Sequence, residues 1–255
     1  MKTLKMMAVG MTALLSTFTM SSCLGSSSDS TGVDAYNVPV TVVESGLYGT
    51  YFYADMGCTL VPTSSSLSQV TLTNVRRAMI AFSFTDENVS ATTLTAGGTY
   101  NVALEPSYCY SIPTYDVIDR YNNEEADSLQ TRQTGISTLS TSTFYVTNGF
   151  LTTQLTLPYT SGTAYSLNVL YNSQEDVDVE NNKVTLNLLY SHNATQAYYT
   201  GSSVFSFKLP SGLASKFQGD SVTVEMRALS TSGSDNYLTA KTKAALSDLT
   251  TRYGK

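Results

Sequence analysis

In Thr143-Phe144-Tyr145-Val146-Thr147-Asn148-Gly149-Phe150-Leu151-Thr152-Thr153-Gln154-Leu155-Thr156-Leu157, two runs rich in β-branched and aromatic residues flank the dipeptide Asn148-Gly149. A type I′ turn needs positive φ at both central residues, which Asn and Gly adopt more readily than other residues. A two-residue loop there pairs Val146 with Leu151 and Phe144 with Thr153. Phe144, Val146, Leu151, Leu155 and Leu157 then share one face, predicted to be buried.

The same period continues on the C-terminal side. Tyr165/Leu167/Val169/Tyr171, Val184/Leu186/Leu188/Tyr190, Phe205/Phe207/Leu209 and Val222/Val224/Met226 each alternate with polar residues, and turn residues separate the sets. Six or seven such strands predict a β-sandwich over 136–239. The tail, 240–255, carries the only helical hint. On the N-terminal side, 37–45, 47–53, 58–61, 77–84, 99–104 and 107–112 read as short strands broken by Gly46, by Asp55-Met56-Gly57 and by Gly97-Gly98. These suit a small β-barrel over 36–118, with Pro39 at an edge or a strand start because it cannot donate to a ladder. Between the two, 119–135 has no apolar periodicity and reads as an interdomain linker.

The N-terminus has its own logic. Lys2 and Lys5 precede an apolar run, about 6–20, that Thr12, Ser16, Thr17 and Thr19 interrupt; it is too short and too polar to span a bilayer. Met20-Ser21-Ser22-Cys23 closes it as a lipobox, so 1–22 is a cleaved signal peptide and Cys23 the lipidated residue. Several acyl chains anchor a protein stably, each buried methylene contributing about 0.8 kcal/mol. Residues 23–35, with Ser/Gly-rich 26–32, form a flexible tether.

The chain has 255 residues and a formal net charge of −6, which falls further once Lys2 and Lys5 leave with the signal. With no basic cluster beyond Arg76-Arg77, nucleic-acid binding is not expected. Cys58 and Cys109 remain for an oxidising compartment, where they either form one disulfide across neighbouring strands or stay as two buried thiols.

Several short segments resemble the NigD-like lipoproteins of gut and oral anaerobic Gram-negative bacteria. They are Tyr51-Phe52-Tyr53-Ala54-Asp55, Thr59-Leu60-Val61-Pro62-Thr63, Ala126-Asp127-Ser128, Tyr190-Ser191-His192-Asn193-Ala194 and Val204-Phe205-Ser206-Phe207-Lys208-Leu209. The resemblance covers nearly the whole mature chain. It implies an N-terminal OB-like barrel, a C-terminal β-sandwich and no established enzymatic activity. It also brings Asp29-Ser30, Asp127-Ser128 and Asp220-Ser221 into view, since each is similar to the sequon of an O-glycosylation system in such bacteria; Ser30, Ser128 and Ser221 are the candidate acceptors.

No motif carries catalysis, a cofactor or a metal. His192 is the only histidine and has no nucleophile arrangement around it, so it is expected to cap a strand end beside Asn193. Residues 175–182 alternate carboxylates but lack the Gly and Glu positions of an EF-hand, and read as a solvated loop. Tyrosines are the remaining ligand candidates: Tyr51 and Tyr53 on one strand face, Tyr108 and Tyr110 on another, Tyr198 and Tyr199 near a turn. The expected protein is a non-enzymatic, lipid-anchored binding module of the outer membrane, with the leaflet open and the partner a protein or a glycan. A glycan-binding lipoprotein of a polysaccharide-uptake system and a bacteriocin-associated immunity or sensitivity factor are the alternatives.

Overall fold

The computed structural model describes residues 32–45, 49–72, 74–121, 123–124, 126, 129, 133–162, 164–192, 199–232 and 236–251. The signal peptide, Cys23, Ser30, Ser128 and Tyr198 lie outside the described residues. The chain is all-β, built from two barrel-like sheets, each with its own apolar core.

The first sheet contains β1 (Ala35–Ser45), β2 (Gly49–Ala54), β3 (Thr59–Pro62), β4 (Arg77–Phe84), β5 (Thr99–Leu104) and β6 (Tyr110–Ser111). Its order is β1-β2-β3-β5-β4-β6, and β4 also pairs with β1, which closes five of the strands into a ring. A single short helix, α1 (Ser64–Leu67), sits between β3 and β4, with Thr63 accepting the Ser66 amide as its N-cap. Val40, Val42, Phe52, Leu60, Ile80, Phe82 and Val102 point into the ring.

Pro39 lies inside β1, opposite Met79. Its N and C=O face the β2 side, where pairing begins only at Val40 and the Asp55 amide donates to the Pro39 carbonyl. The missing N–H therefore falls just beyond the end of the ladder. Residues 32–34, expected to belong to the tether, are tied to β4. Ser83 donates to the Gly32 carbonyl, and the Asp34 carboxylate accepts the Phe84 amide at 2.7 Å.

The second sheet holds β7 (Thr114–Asp119), β8 (Thr138–Leu139), β9 (Tyr145–Thr147), β10 (Phe150–Tyr159), β11 (Tyr165–Tyr171), β12 (Val177–Asp178), β13 (Lys183–His192), β14 (Tyr199–Lys208), β15 (Ser221–Leu229) and β16 (Tyr237–Ala245). Its order is β16-β15-β13-β11-β7-β14-β10-β8, with β9 beside β10 and β12 beside β13. The sheet curls until β16 meets β8 and β9, and Ile136 bridges Ser230. The hairpin forms as expected: Val146 pairs with Leu151, and Asn148 and Gly149 have φ of 47° and 78°. Phe144, Val146, Leu151, Leu155 and Leu157 are all buried in the second core.

Three expectations are corrected. The boundary at 118 falls inside β7, whose two halves pair in parallel with β14 (114–116) and β11 (117–119), so β7 lies mid-sheet in the second body. Within 119–135, read as a linker, described residues pack on this sheet, with Ala126 and Leu129 against Leu170 and Leu189 and the Thr134 amide on the Tyr190 carbonyl. The described part of the tail is mainly strand where a helix was expected: Tyr237–Ala245 is the edge strand β16, followed by a 3-10 turn at Leu246–Leu249.

Candidate functional site

Polar chemistry gathers first where the two sheets meet. The Arg77 guanidinium donates to Asp55 Oδ1 at 2.6 Å and Oδ2 at 2.5 Å, with side-chain exposures of 0% and 3%. Tyr145 donates its hydroxyl to the same carboxylate at 2.8 Å. Arg77 also donates to Thr41 Oγ1 at 3.0 Å and to Thr152 Oγ1 at 3.2 Å, and lies 5.4 Å above the Phe150 ring centroid. Asn148, from the hairpin turn, donates to Thr41 Oγ1 at 3.1 Å. Thr41, Asp55 and Arg77 come from the first sheet; Tyr145, Asn148, Phe150 and Thr152 come from the second.

Burial opposes the Arg77 charge, but Asp55 and Tyr145 outweigh it and hold its pKa above the ordinary value. Burial, then the Asp55 charge, pushes the Tyr145 hydroxyl well up. These groups are closed to solvent, and their work is to join the sheets. Arg76, its neighbour, turns outward to Asp116 at 2.5 Å and to the Thr114 carbonyl at 3.0 Å, fixing β4 to β7.

Aromatic chemistry gathers at one end of the second sheet. Side chains alternate along a strand, so the inward face of β10 runs Leu155, Leu157, Tyr159, and that of β14 runs Phe207, Phe205, Ser203, Gly201, Tyr199. Tyr165 continues the inward row of Leu167 and Val169, and His192 that of Leu188 and Tyr190. The apolar core therefore ends in a mouth of tyrosines. Tyr159, Tyr165 and Tyr199 are 40%, 48% and 57% exposed.

The Tyr159 and Tyr199 rings are 5.7 Å apart. A Cβ on Gly201 would stand 3.2 Å from Tyr159 Cε1, so the Tyr159 ring lies over the glycine backbone. Buried Tyr190 donates to the Pro158 carbonyl, which spans the mouth from β13 to β10. Its ring is 6.0 Å from Tyr165 and 5.8 Å from His192. Tyr115 stacks on Phe207, and its hydroxyl is pushed up by burial and then by Tyr165. His192 Nδ1 is buried and has no hydrogen-bond partner.

On the outer face, Thr138, Ser140, Thr141, Ser142, Gln154, Thr156 and Ser202 line an open groove of 410 Å³ beside β8. Gln154 donates to Ser202 at 2.8 Å across β10 and β14.

The structure separates the sequence candidates. Tyr199 sits in the mouth, whereas Tyr51 and Tyr53 are half-buried on β2 of the other sheet. Tyr108 is exposed but packed edge-on against Tyr36, and Tyr110 is exposed on β6. His192 ends β13, while its expected partner Asn193 lies outside the described residues. Ser221 opens β15 opposite Ala245. Residues 175–182 tie back to the body through the Glu175–Arg120 ion pair and through Asp176, which accepts the Asn172 amide. Among the described residues no group of three or more His, Cys, Asp or Glu could hold a metal.

The disulfide expectation is corrected: Cys58 and Cys109 are free thiols. Cys58 immediately precedes β3 and Cys109 immediately precedes β6, and two strands, β5 and β4, stand between β3 and β6 in the sheet order. Burial pushes both thiols up, and Cys109 Sγ donates to the Glu105 carbonyl.

Sequence reasoning missed Tyr159, Tyr165 and Tyr115, which come from three strands and meet only through register.

The class these features define is an all-β protein of two barrel-like sheets with an aromatic mouth. No family model matches the sequence, and no curated protein matches it. Solved structures share the fold. A toxin-related protein from Parabacteroides distasonis superposes with a TM-score of 0.57 at 17% identity, covering 84% of this chain and 94% of that one. A protein of unknown function from Bacteroides vulgatus gives 0.54 at 16% identity, covering 82% and 89%. A NigD-like immunity protein from Bacteroides caccae gives 0.51 at 15% identity, covering 79% and 89%. The fold thus agrees with the NigD-like resemblance drawn from the sequence.

Proposed function

We propose that this chain is a non-enzymatic binding module of the outer membrane, anchored by lipid at Cys23, that holds its ligand at the tyrosine mouth of the second sheet. One observation carries the reading: Tyr159, Tyr165 and Tyr199 expose large rings in inward register at the end of a packed core, above a buried Tyr190 and an unpartnered His192 nitrogen. Rings on strands lose little freedom on binding, because strand packing already orders them.

The ring order β1-β2-β3-β5-β4-β1, with α1 between β3 and β4, supports an OB-like barrel, and the curled second sheet supports a sandwich. The anchor and the outer-membrane address rest on the lipobox at Met20-Ser21-Ser22-Cys23.

Two experiments test these parts. Cys23→Ser is expected to move the protein from the envelope fraction to the soluble fraction; retention in the envelope contradicts the anchor. A photo-crosslinking residue at position 199 is expected to capture envelope material that the same residue at position 110 does not. Equal capture from both positions contradicts the mouth.

A second reading, protection against a bacteriocin, draws on the fold shared with the NigD-like immunity protein. A deletion strain killed by neighbouring strains no more and no less than its parent removes that reading.

A further inference from the structure

We infer that Asn148 is a latent modification site: the fold blocks its conversion to aspartate and isoaspartate, and release of segment 246–251 from the hairpin turn permits it. The chain contains a single Asn-Gly dipeptide, Asn148-Gly149. In such a pair no side chain on the glycine obstructs its nitrogen as it approaches the asparagine amide. Hydroxide takes the Gly149 amide proton, the nitrogen attacks Asn148 Cγ, and ammonia leaves as a succinimide ring closes. Water then opens the ring at either carbonyl, so the net change consumes a water and releases an ammonia. Opening at Cγ gives aspartate. Opening at the main-chain carbonyl gives isoaspartate, whose main chain runs through the former side chain and is longer by a methylene.

The fold holds every participant in this reaction. Turns ordinarily run over the surface, yet Asn148 is 3% exposed and Gly149 is buried. The Gly149 N–H, whose loss starts the reaction, is donated to the Asp248 carbonyl at 2.7 Å. The Asn148 amide nitrogen, the leaving group, is donated to Thr41 Oγ1 at 3.1 Å in the other sheet. Nucleophile and leaving group are therefore drawn to different partners. Thr251 closes the approach, since a Cβ on Gly149 would stand 2.7 Å from its amide nitrogen.

Segment 246–251 is the movable part of this enclosure. Leu249, 1% exposed in the second core, pins it down. Such a segment opens locally at less than the cost of global unfolding, and each opening frees the Gly149 N–H. The isoaspartate product cannot return to the closed state. Thr147 pairs with Phe150 directly across the turn, and an extra methylene breaks that register. The Asn148–Thr41 bond between the sheets is then not remade.

The test follows conversion at position 148 in the whole protein, by peptide mass and by isoaspartate methyltransferase labelling, in mildly alkaline buffer. Hydrogen exchange of the Gly149 amide is measured in the same samples. The series comprises folded wild type, wild type in rising sub-denaturing urea, Leu249→Ala, and wild type unfolded in urea. Should Leu249→Ala fail to fold, the urea series carries the comparison.

Folded wild type is expected to convert at least about tenfold more slowly than unfolded protein, which corresponds to an opening cost of about 1.4 kcal/mol or more. Across the folded samples, conversion should rise in step with exchange of the Gly149 amide. Equal conversion in folded and unfolded wild type overturns the protection. Conversion that stays flat while Gly149 exchange rises overturns the role of segment 246–251. Absence of conversion in unfolded protein overturns the site itself.

Discussion

Arg77 keeps a full charge at a point with no side-chain exposure, and the reason is geometric. The Asp55 carboxylate receives two parallel hydrogen bonds from it, while Thr41 and Thr152 take up the remaining donors on its terminal nitrogens. Removing one partner leaves the other charge buried and unpaired. Arg77→Met and Asp55→Asn are each expected to lower stability by about 3–5 kcal/mol, measured by urea denaturation, and the double variant by less than the sum. Full additivity would contradict a coupled pair.

The thiols give a second check. Without reduction, denatured protein is expected to alkylate at both Cys58 and Cys109, and folded protein more slowly at Cys58, which is buried. Protection of both cysteines in denaturant would restore the disulfide.

The hairpin at Asn148-Gly149 is the element on which both bodies lean. Asn148 reaches Thr41 in the first sheet, and Gly149 donates its amide to Asp248 at 2.7 Å while accepting from Leu209 at 2.8 Å. A Cβ at Gly149 would collide with Thr251 Oγ1 and stand 2.7 Å from the Thr251 amide nitrogen, at a φ of 78°. Gly149→Ala is therefore expected to cost at least about 1 kcal/mol, from both strain and collision. A melting temperature equal to wild type would show that the turn relaxes freely.

The same hairpin shows what could be read from sequence. Asn-Gly between alternating runs specifies turn, register and buried face together. β7 gave no such signal, because its parallel pairing with two distant strands involves no local turn. β16 was misread because Ala240, Lys241, Lys243, Ala244 and Ala245 favour a helix, and only pairing with β15 reveals that Ala240 and Ala244 are buried. The mouth was legible in part. Tyr199 stood out beside another tyrosine, but its approach to Tyr159 depends on the β10–β14 register.

At the scale of the whole molecule, the buried Arg77 cluster and the Arg76–Asp116 contact make the two sheets one mechanical body. A single calorimetric unfolding transition is expected, and Arg77→Met should separate it into two; two transitions in wild type would contradict the coupling.

The pH limits follow from groups in the second sheet. Burial raises the Glu225 carboxyl, but hydrogen bonds from Lys183 and Arg227 outweigh this and hold it below 4.5. Its contribution to stability is thus present above about 4.5 and lost as pH falls through the depressed folded value. Burial, then Asp119, pushes Tyr171 up to about 12, so its contribution is complete below about 10 and lost between there and about 12. Absorbance of tyrosinate against pH, read beside circular dichroism, should show these buried tyrosines ionising only as the fold is lost.

A rigid body of this kind presents Tyr159, Tyr165 and Tyr199 at a fixed spacing, and that is the basis of the proposed function. The most direct measurement is recovery of bound material from native envelopes by anchored wild type and by an anchored Tyr159→Ala/Tyr199→Ala variant of equal abundance. The account predicts that the variant stays in the membrane and loses the bound material. Equal recovery by both would contradict it.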